Sequence, residues 1–177
     1  FHQYLSSQFQ NNNKTKPYIS LTLPAHKDRE HFDTKKLDPF IDLFIIMGYD
    51  YNGNSSPEAV SPLQSEGVFS LKNTVEYFKE SNIDVNKTIL ALPYYGILWN
   101  INPSENDDFE AKIERKLTYT EIKNNFIENQ ELGSEVELDP ISMSKIYRVA
   151  FEDNSIKEIH YDDAFTLSKK YDYAKEA

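Results

Sequence analysis

Apolar and polar positions change their period several times along this chain, and each change marks an element. In "FHQYLSSQFQ" the residues Phe1, Tyr4, Leu5 and Phe9 recur at near-helical spacing, which predicts an amphipathic helix. After the polar spacer "NNNKTK", residues 17–24, "PYISLTLP", alternate and are rich in β-formers, so a strand is expected. A short polar helix follows over 34–40. Residues 41–47 are nearly continuous Ile, Leu, Phe and Met, the pattern of a strand covered on both faces in a parallel sheet. "NGNSSPEAVSP" reads as loop. Within 70–81, Leu71, Val75 and Phe78 fall at i, i+4 and i+7 and predict a helix. "KTILALPYYG" supplies the next buried strand, carried on as "ALPYYGILW" so that Tyr94, Tyr95 and Trp99 stand at its end. Strand, helix and strand in that order favour parallel α/β connections, in a barrel or an open doubly wound sheet.

Beyond Trp99 the pattern changes. "LTYTEIKNNFIEN" carries a capping box, with Thr118 at the N-cap and Glu121 three residues on, and then Ile122 and Phe126 on one face. "EVELD", "KIYRVAFE" and "IKEIHYD" read as short strands, the last two joined by a hairpin turn through Asp153 and Asn154. A last helix from about Asp163 would place Leu167, Tyr171 and Ala174 along one stripe. The expected organisation is α/β over residues 1–99, an α+β insertion over 100–160, and a return to the first pattern over 161–177.

Composition narrows the function classes. With 39% apolar and 14% aromatic residues the chain can bury a real core. A net charge of −10 opposes a phosphate-rich partner, so no nucleic acid is expected. No apolar run approaches the roughly 18–20 residues of a membrane span. Zero cysteines exclude disulfides and thiolate chemistry without deciding the compartment. The chain begins without Met or a leader pattern and stops inside a helix, as a piece of a longer domain would.

Several candidate sites fall away. His2, His26, His31 and His160 are scattered and match no zinc spacing, so they read as surface or loop residues. Asp50, Asn52 and Asn54 take the first, third and fifth places of a calcium loop, yet Ser55 and Ser61 stand where its glycine and glutamate belong. Five glycines form no phosphate cradle, so neither a metal nor a cofactor is expected. The sequons at Asn13, Asn54 and Asn86 decide nothing. Asp107 and Asp108 read as a solvated loop, and neither Glu58 nor Glu66 makes a convincing acid. What remains is "DLFIIMGYDYNGN", where a strand built for burial ends in Tyr49, Asp50 and Tyr51. Parallel strands deliver their last residues to the edge where α/β barrels gather active-site groups. Aromatic faces beside carboxylates and hydroxyls suit a carbohydrate, although the same aromatics would also serve to roof a barrel.

These segments resemble glycoside hydrolase family 18, the chitinase family. "IIMGYDYNGNSSPEAVSPL" is similar to its sixth-strand motif, M-x-Y-D followed by a Gly-containing loop that ends near Pro-Leu. "KTILALPYYGILW" resembles the seventh-strand motif, "YISLTLPA" the fifth strand, and "IHYDDAFTLSKKYDYAKEA" the segment that enters the last strand. The resemblance implies a partial TIM (β/α)8 barrel, about strands five to seven, carrying the family's small α+β insertion. The family signature DxxDxDxE does not occur in this chain, so its glutamate proton donor would precede Phe1, and an eighth strand would follow Ala177.

The implied parent is a secreted or cell-surface enzyme that cleaves β-1,4-linked N-acetylglucosamine polymers, with the substrate's own acetamide as nucleophile. Tyr49 and Asp50 would assist by holding that acetamide. Met47, Tyr51, Tyr95 and Trp99 would line the sugar site. Where many relatives carry Arg after the seventh-strand Y-G, this chain has Ile97, so one polar contact would be lost. Without the proton donor these residues alone would be inactive, and unpaired strand edges would favour association. Peptidoglycan or N-glycan-core cleavage and a non-catalytic sugar-binding relative remain open.

Overall fold

The computed structural model describes residues 3–4, 7, 18–25, 32–81, 83–103, 109–129 and 135–177. They fall into two compact units, one from residues 1–47 and 75–91 and the other from 48–74 and 92–177.

In the first unit, β1 (Ser20–Pro24), β2 (Leu43–Met47) and β3 (Thr88–Ala91) form a sheet in the order β1-β2-β3. Both pairings are parallel, with Leu23 beside Ile46 and Ile46 beside Leu90. The expected polar helix is α1 (Thr34–Leu37), capped by Asp33 and prolonged by a tighter turn, Asp38–Phe40. Helix α2 (Leu71–Glu80) matches the expected seam and sends Phe78 into a core with Leu23, Phe44, Ile46 and Ile83. Burying each such side chain stabilises by about 1.5–3 kcal/mol. Of the N-terminal helix only Gln3, Tyr4 and Ser7 are described, and they are helical; Phe1, Leu5 and Phe9 lie outside the described residues.

The parallel strand ends sooner than expected. Proline offers no N–H to a ladder and is confined to strand edges, starts and bulges, and Pro93 stands just past the end of β3 at Ala91. Tyr95 and Trp99 therefore belong to a new strand, β4 (Tyr95–Pro103), which lies in an antiparallel sheet of the second unit. Its neighbour β5 (Phe109–Thr118) was not legible in the chain, because it is charged and exposed nearly throughout and buries only Leu117. Pairing with β4 makes it a strand.

Next come α3 (Tyr119–Ile122), with the expected Thr118–Glu121 capping box, and a π-helical turn, Lys123–Ile127. Strands β6 (Glu135–Asp139), β7 (Ser144–Ala150) and β8 (Ile156–Tyr161) complete the sheet in the order β5-β4-β8-β7-β6. Asn154, at φ 62°, takes the left-handed position of the β7–β8 hairpin. One face of the sheet packs Leu98, Leu117, Tyr147 and Ile159 with Ile122 of α3. The other packs Ile97 and Trp99 with Val60, flanked by Tyr49 and Tyr95.

Helix α4 (Ala164–Glu176) starts at its Asp163 cap, but its buried face differs from the expected stripe. Leu167 is buried, whereas Tyr171 and Ala174 are exposed and Thr166 and Lys170 face inward. Lys170, fully enclosed, donates to Asp162 Oδ1 at 2.5 Å and to Ser144 Oγ at 3.1 Å, and Thr166 Oγ1 donates to the same carboxylate at 2.8 Å. That ionic network, rather than apolar periodicity, sets the helix rotation. Burial disfavours both charges, raising the Asp162 pKa and lowering that of Lys170.

Candidate active site

The residues just past β2 are held in place by the loop that follows them. Ser61 Oγ donates to the Gly48 carbonyl at 2.6 Å, and the Tyr51 N–H donates to the Val60 carbonyl at 3.1 Å. Between these anchors Asp50 adopts φ 58°, a left-handed conformation that non-glycine residues rarely take and that clusters at functional sites. Glu58 closes the loop tip, accepting from the Gly53 N–H at 3.1 Å and from Ser56 Oγ at 3.2 Å. Its carboxylate is thereby engaged in the loop.

Alternation along β4 brings Tyr95, Ile97 and Trp99 to one face of the sheet, where the Tyr95 hydroxyl donates to Asp50 Oδ1. Lys116 of β5 stands directly across from Ile97 in the register, and its Nζ donates to Asp50 Oδ1 and Oδ2, both at 2.8 Å. The same ammonium lies 4.7 Å from the centroid of the Tyr95 ring, a cation–π contact. Tyr49 meets Tyr95 edge to face, with centroids 6.5 Å apart. Asp50 and Lys116 keep 43% and 54% of their side-chain surface exposed, so this group borders solvent. Burial, then the hydrogen bond to Asp50, push the Tyr95 hydroxyl above its ordinary pKa, so it stays a protonated donor at neutral pH.

A sheet irregularity lies next to this face. Between Leu98 and Trp99 the pairing with β5 slips by one residue, a bulge that leaves Glu114 unmatched and sets Ile113 opposite Trp99. Ion pairs sit on the neighbouring positions: Lys157 reaches Glu114 at 3.1 Å, and Glu158 lies between Arg148 and His160.

The structure thus joins Tyr49, Asp50 and Tyr95, packs Trp99 in the cluster that Tyr49 and Tyr95 flank, and turns the Tyr51 hydroxyl to Thr74. Trp99, expected to line a cleft, is 0% exposed among Val60, Ile97 and their neighbours, so both ring faces serve packing. Tyr51 is also enclosed, and its hydroxyl shares a 2.6 Å hydrogen bond with Thr74 Oγ1. Burial pushes the Tyr51 hydroxyl up to about 12. Met47 is half-buried as the last residue of β2, in the first unit. His160, expected at the surface, is buried on β8 with its Nε2 2.6 Å from Glu158 Oε1. His2, His26, His31, Asp107 and Asp108 lie outside the described residues.

A cavity of about 380 Å³ in the same unit is bordered by Tyr51, Glu58, Glu66, Asp139 and His160, and it takes in none of Tyr49, Asp50 or Tyr95. The calcium-loop pattern does not converge either. Asp50 turns to Tyr95 and Lys116, while the Asn52 amide donates to the Gly53 carbonyl. Among the described residues no cluster of three His, Asp or Glu is placed to hold a metal ion, and no helix is long and apolar enough to cross a membrane.

The family model for glycosyl hydrolases family 18 matches residues 1–177. The chain belongs to glycosyl hydrolase family 18. Solved chitinases of the family share its fold. The GH18 chitinase of Cycas revoluta, in a complex with allosamidin, superposes with a TM-score of 0.79 at 18% identity, over 99% of this chain and 52% of that one. The same plant's chitinase with (GlcNAc)3 gives 0.77 at 19% identity, again over 99% and 52%. The class V chitinase of Nicotiana tobaccum gives 0.79 at 15% identity, over 99% and 53%. This family 18 chain therefore spans about half the length of the chitinases it matches. Among curated proteins no sequence matches it.

Within the family 18 framework, sequence reasoning missed Lys116. Its signal was available only as one lysine in a charged stretch, "KIERKL", with nothing local to say which strand it would pair with. Ile97, 1% exposed, points into the core, and its cross-strand partner carries the cation instead.

Proposed function

We propose that this chain is part of a glycoside hydrolase that cleaves β-1,4-linked N-acetylglucosamine polymers by a substrate-assisted, retaining route. In this reading β1, β2 and β3 are the fifth to seventh strands of a TIM barrel. The antiparallel sheet is the insertion, and the parent acts outside the cell or at its surface. The observation that carries the reading is the convergence of Tyr95 and Lys116 on Asp50, with Tyr49 alongside, three residues past the end of a parallel strand. Chitinases solved with (GlcNAc)3 and with allosamidin share this fold, which supports an N-acetylated sugar as the ligand.

The mechanism assigned to these residues is positional. The 2-acetamido carbonyl must lie beneath its own sugar ring to attack the anomeric carbon as the leaving oxygen is protonated. That proton comes from a glutamic acid outside these residues. Tyr49 donates its hydroxyl to the acetamide oxygen, and Asp50 accepts from the acetamide N–H, so the nucleophile is oriented before the bond breaks. Tyr51 and Trp99 act from beneath by packing. Orientation of this kind supplies several kcal/mol, and small misplacements cost about 10²-fold in rate.

The test uses the full-length protein on chitin oligosaccharides, with Asp50→Asn and Tyr49→Phe. Each variant is expected to lose about 10²-fold in kcat with a smaller change in KM. Wild-type turnover by both variants overturns the roles. A wild-type protein that binds these oligosaccharides without cleaving them makes it a sugar-binding relative.

A further inference from the structure

We propose that Lys116 is a positioning residue, whose ammonium locks the Asp50 carboxylate and the Tyr95 hydroxyl into the arrangement that receives the substrate's N-acetyl group. The inference rests on the reading of Asp50 given above. Exposed ion pairs usually contribute little, because solvent screens them and both side chains remain free to move. Three features set this one apart. Lys116 Nζ reaches both Asp50 oxygens at 2.8 Å, so rotation of the carboxylate breaks a contact whichever way it turns. The ammonium also lies over the Tyr95 ring, whose hydroxyl donates to the same carboxylate, so three groups close on one another. The acceptor itself sits on a strained residue at φ 58°, and its side-chain direction depends on the contacts that hold it.

The strand register makes the cation available. Lys116 faces Ile97 across the β4–β5 pair and shares that face with Tyr95, two residues back from Ile97 along β4. A slip of one residue would turn Lys116 to the opposite face, toward Leu98 and Leu117. The other cations of β5 are satisfied locally, Lys112 by Glu110 at 2.9 Å and Arg115 by Glu121 at 2.9 Å. Lys116 instead spans 66 positions of sequence to reach Asp50. Lysine supplies a compact charge on a flexible stem, so it can hold the carboxylate while leaving an edge of it open to a ligand.

The experiment compares Lys116→Met, Lys116→Arg and Lys112→Met in the full-length protein on N-acetylglucosamine oligosaccharides, each in wild-type and Asp50→Asn backgrounds. Lys116→Met should lower kcat about tenfold, the rate equivalent of one charge-assisted hydrogen bond. Lys116→Arg should recover most of the loss, and Lys112→Met should match wild type. In the Asp50→Asn background Lys116→Met should cost nothing further, because its effect passes through that carboxylate. Should Lys116→Met fail to fold, Lys116→Gln takes its place. Unchanged kcat, or losses that add in the double variant, overturn the inference and leave the reading of Asp50 standing. A wild-type protein inactive on every such substrate overturns both.

Discussion

Glu158 shows how single residues of the antiparallel sheet respond to their surroundings. Its carboxylate is only 7% exposed, accepts from Arg148 Nε at 2.7 Å, and lies 2.6 Å from His160 Nε2. Burial raises its pKa, but the His160 and Arg148 contacts outweigh that, and the net direction is below 4.5. A carboxylate with a depressed folded pKa stabilises at pH above the unfolded value, and that contribution is lost as pH falls through the folded one. Thermal unfolding followed from neutral pH down through 4.5 should therefore show a loss that Glu158→Gln makes shallower. At neutral pH the variant should be less stable by about 2 kcal/mol, the scale of hydrogen bonds to a charged group. An equal acid dependence in both proteins would refute this account. Little of it was legible in the chain, since the alternation of β8 does not reveal that His160 and Glu158 both face inward beside Arg148 of the next strand.

At the scale of elements, the approach of β4 to β8 decides how tightly the sheet closes, and Gly96 permits it. A methyl group there would lie 2.8 Å from the His160 carbonyl oxygen, the Ile122 Cδ1 and the Tyr161 Cβ at once. Two of these belong to β8 and cannot swing aside. Gly96→Ala should cost about 1–3 kcal/mol, the range for overpacking a well-filled interior, read as a lower denaturation midpoint. Gly67→Ala, with nothing within 4 Å of the new methyl, is the matched control and should leave the midpoint unchanged or slightly higher. Most elements were legible before any coordinates. The apolar run before Tyr49, the seam of α2 and the Thr118 capping box each carry a local signal. The exceptions have separate causes. Strand β5 carries too few apolar residues to show a period and becomes a strand by pairing with β4, while the break between β3 and β4 is marked only by Pro93 within an otherwise continuous apolar stretch.

For the molecule as a whole, the parallel sheet and the net charge act in opposite directions. Among the described strands β1 and β3 pair only with β2, so each presents one unpaired edge, and Ile89 of β3 is exposed there. A charge of −10 opposes contact between copies, and salt screens that repulsion. The 177-residue chain should therefore associate with rising concentration, and more strongly as ionic strength rises. Sedimentation velocity reads this directly, and a monomer at every concentration and salt level would count against it. The sequence alone determined the parallel strands, the tyrosine and aspartate that follow the second of them, and the family, because each depends on residues near one another in the chain. Only the tertiary structure decided that Trp99 is core, that Lys170 is buried, and that Lys116 grips Asp50. The placements of Trp99 and Lys116 follow from which strands pair and in what register, and that of Lys170 from its contacts to Asp162 and Ser144, so burial across the whole unit rather than any short stretch of residues makes the choice.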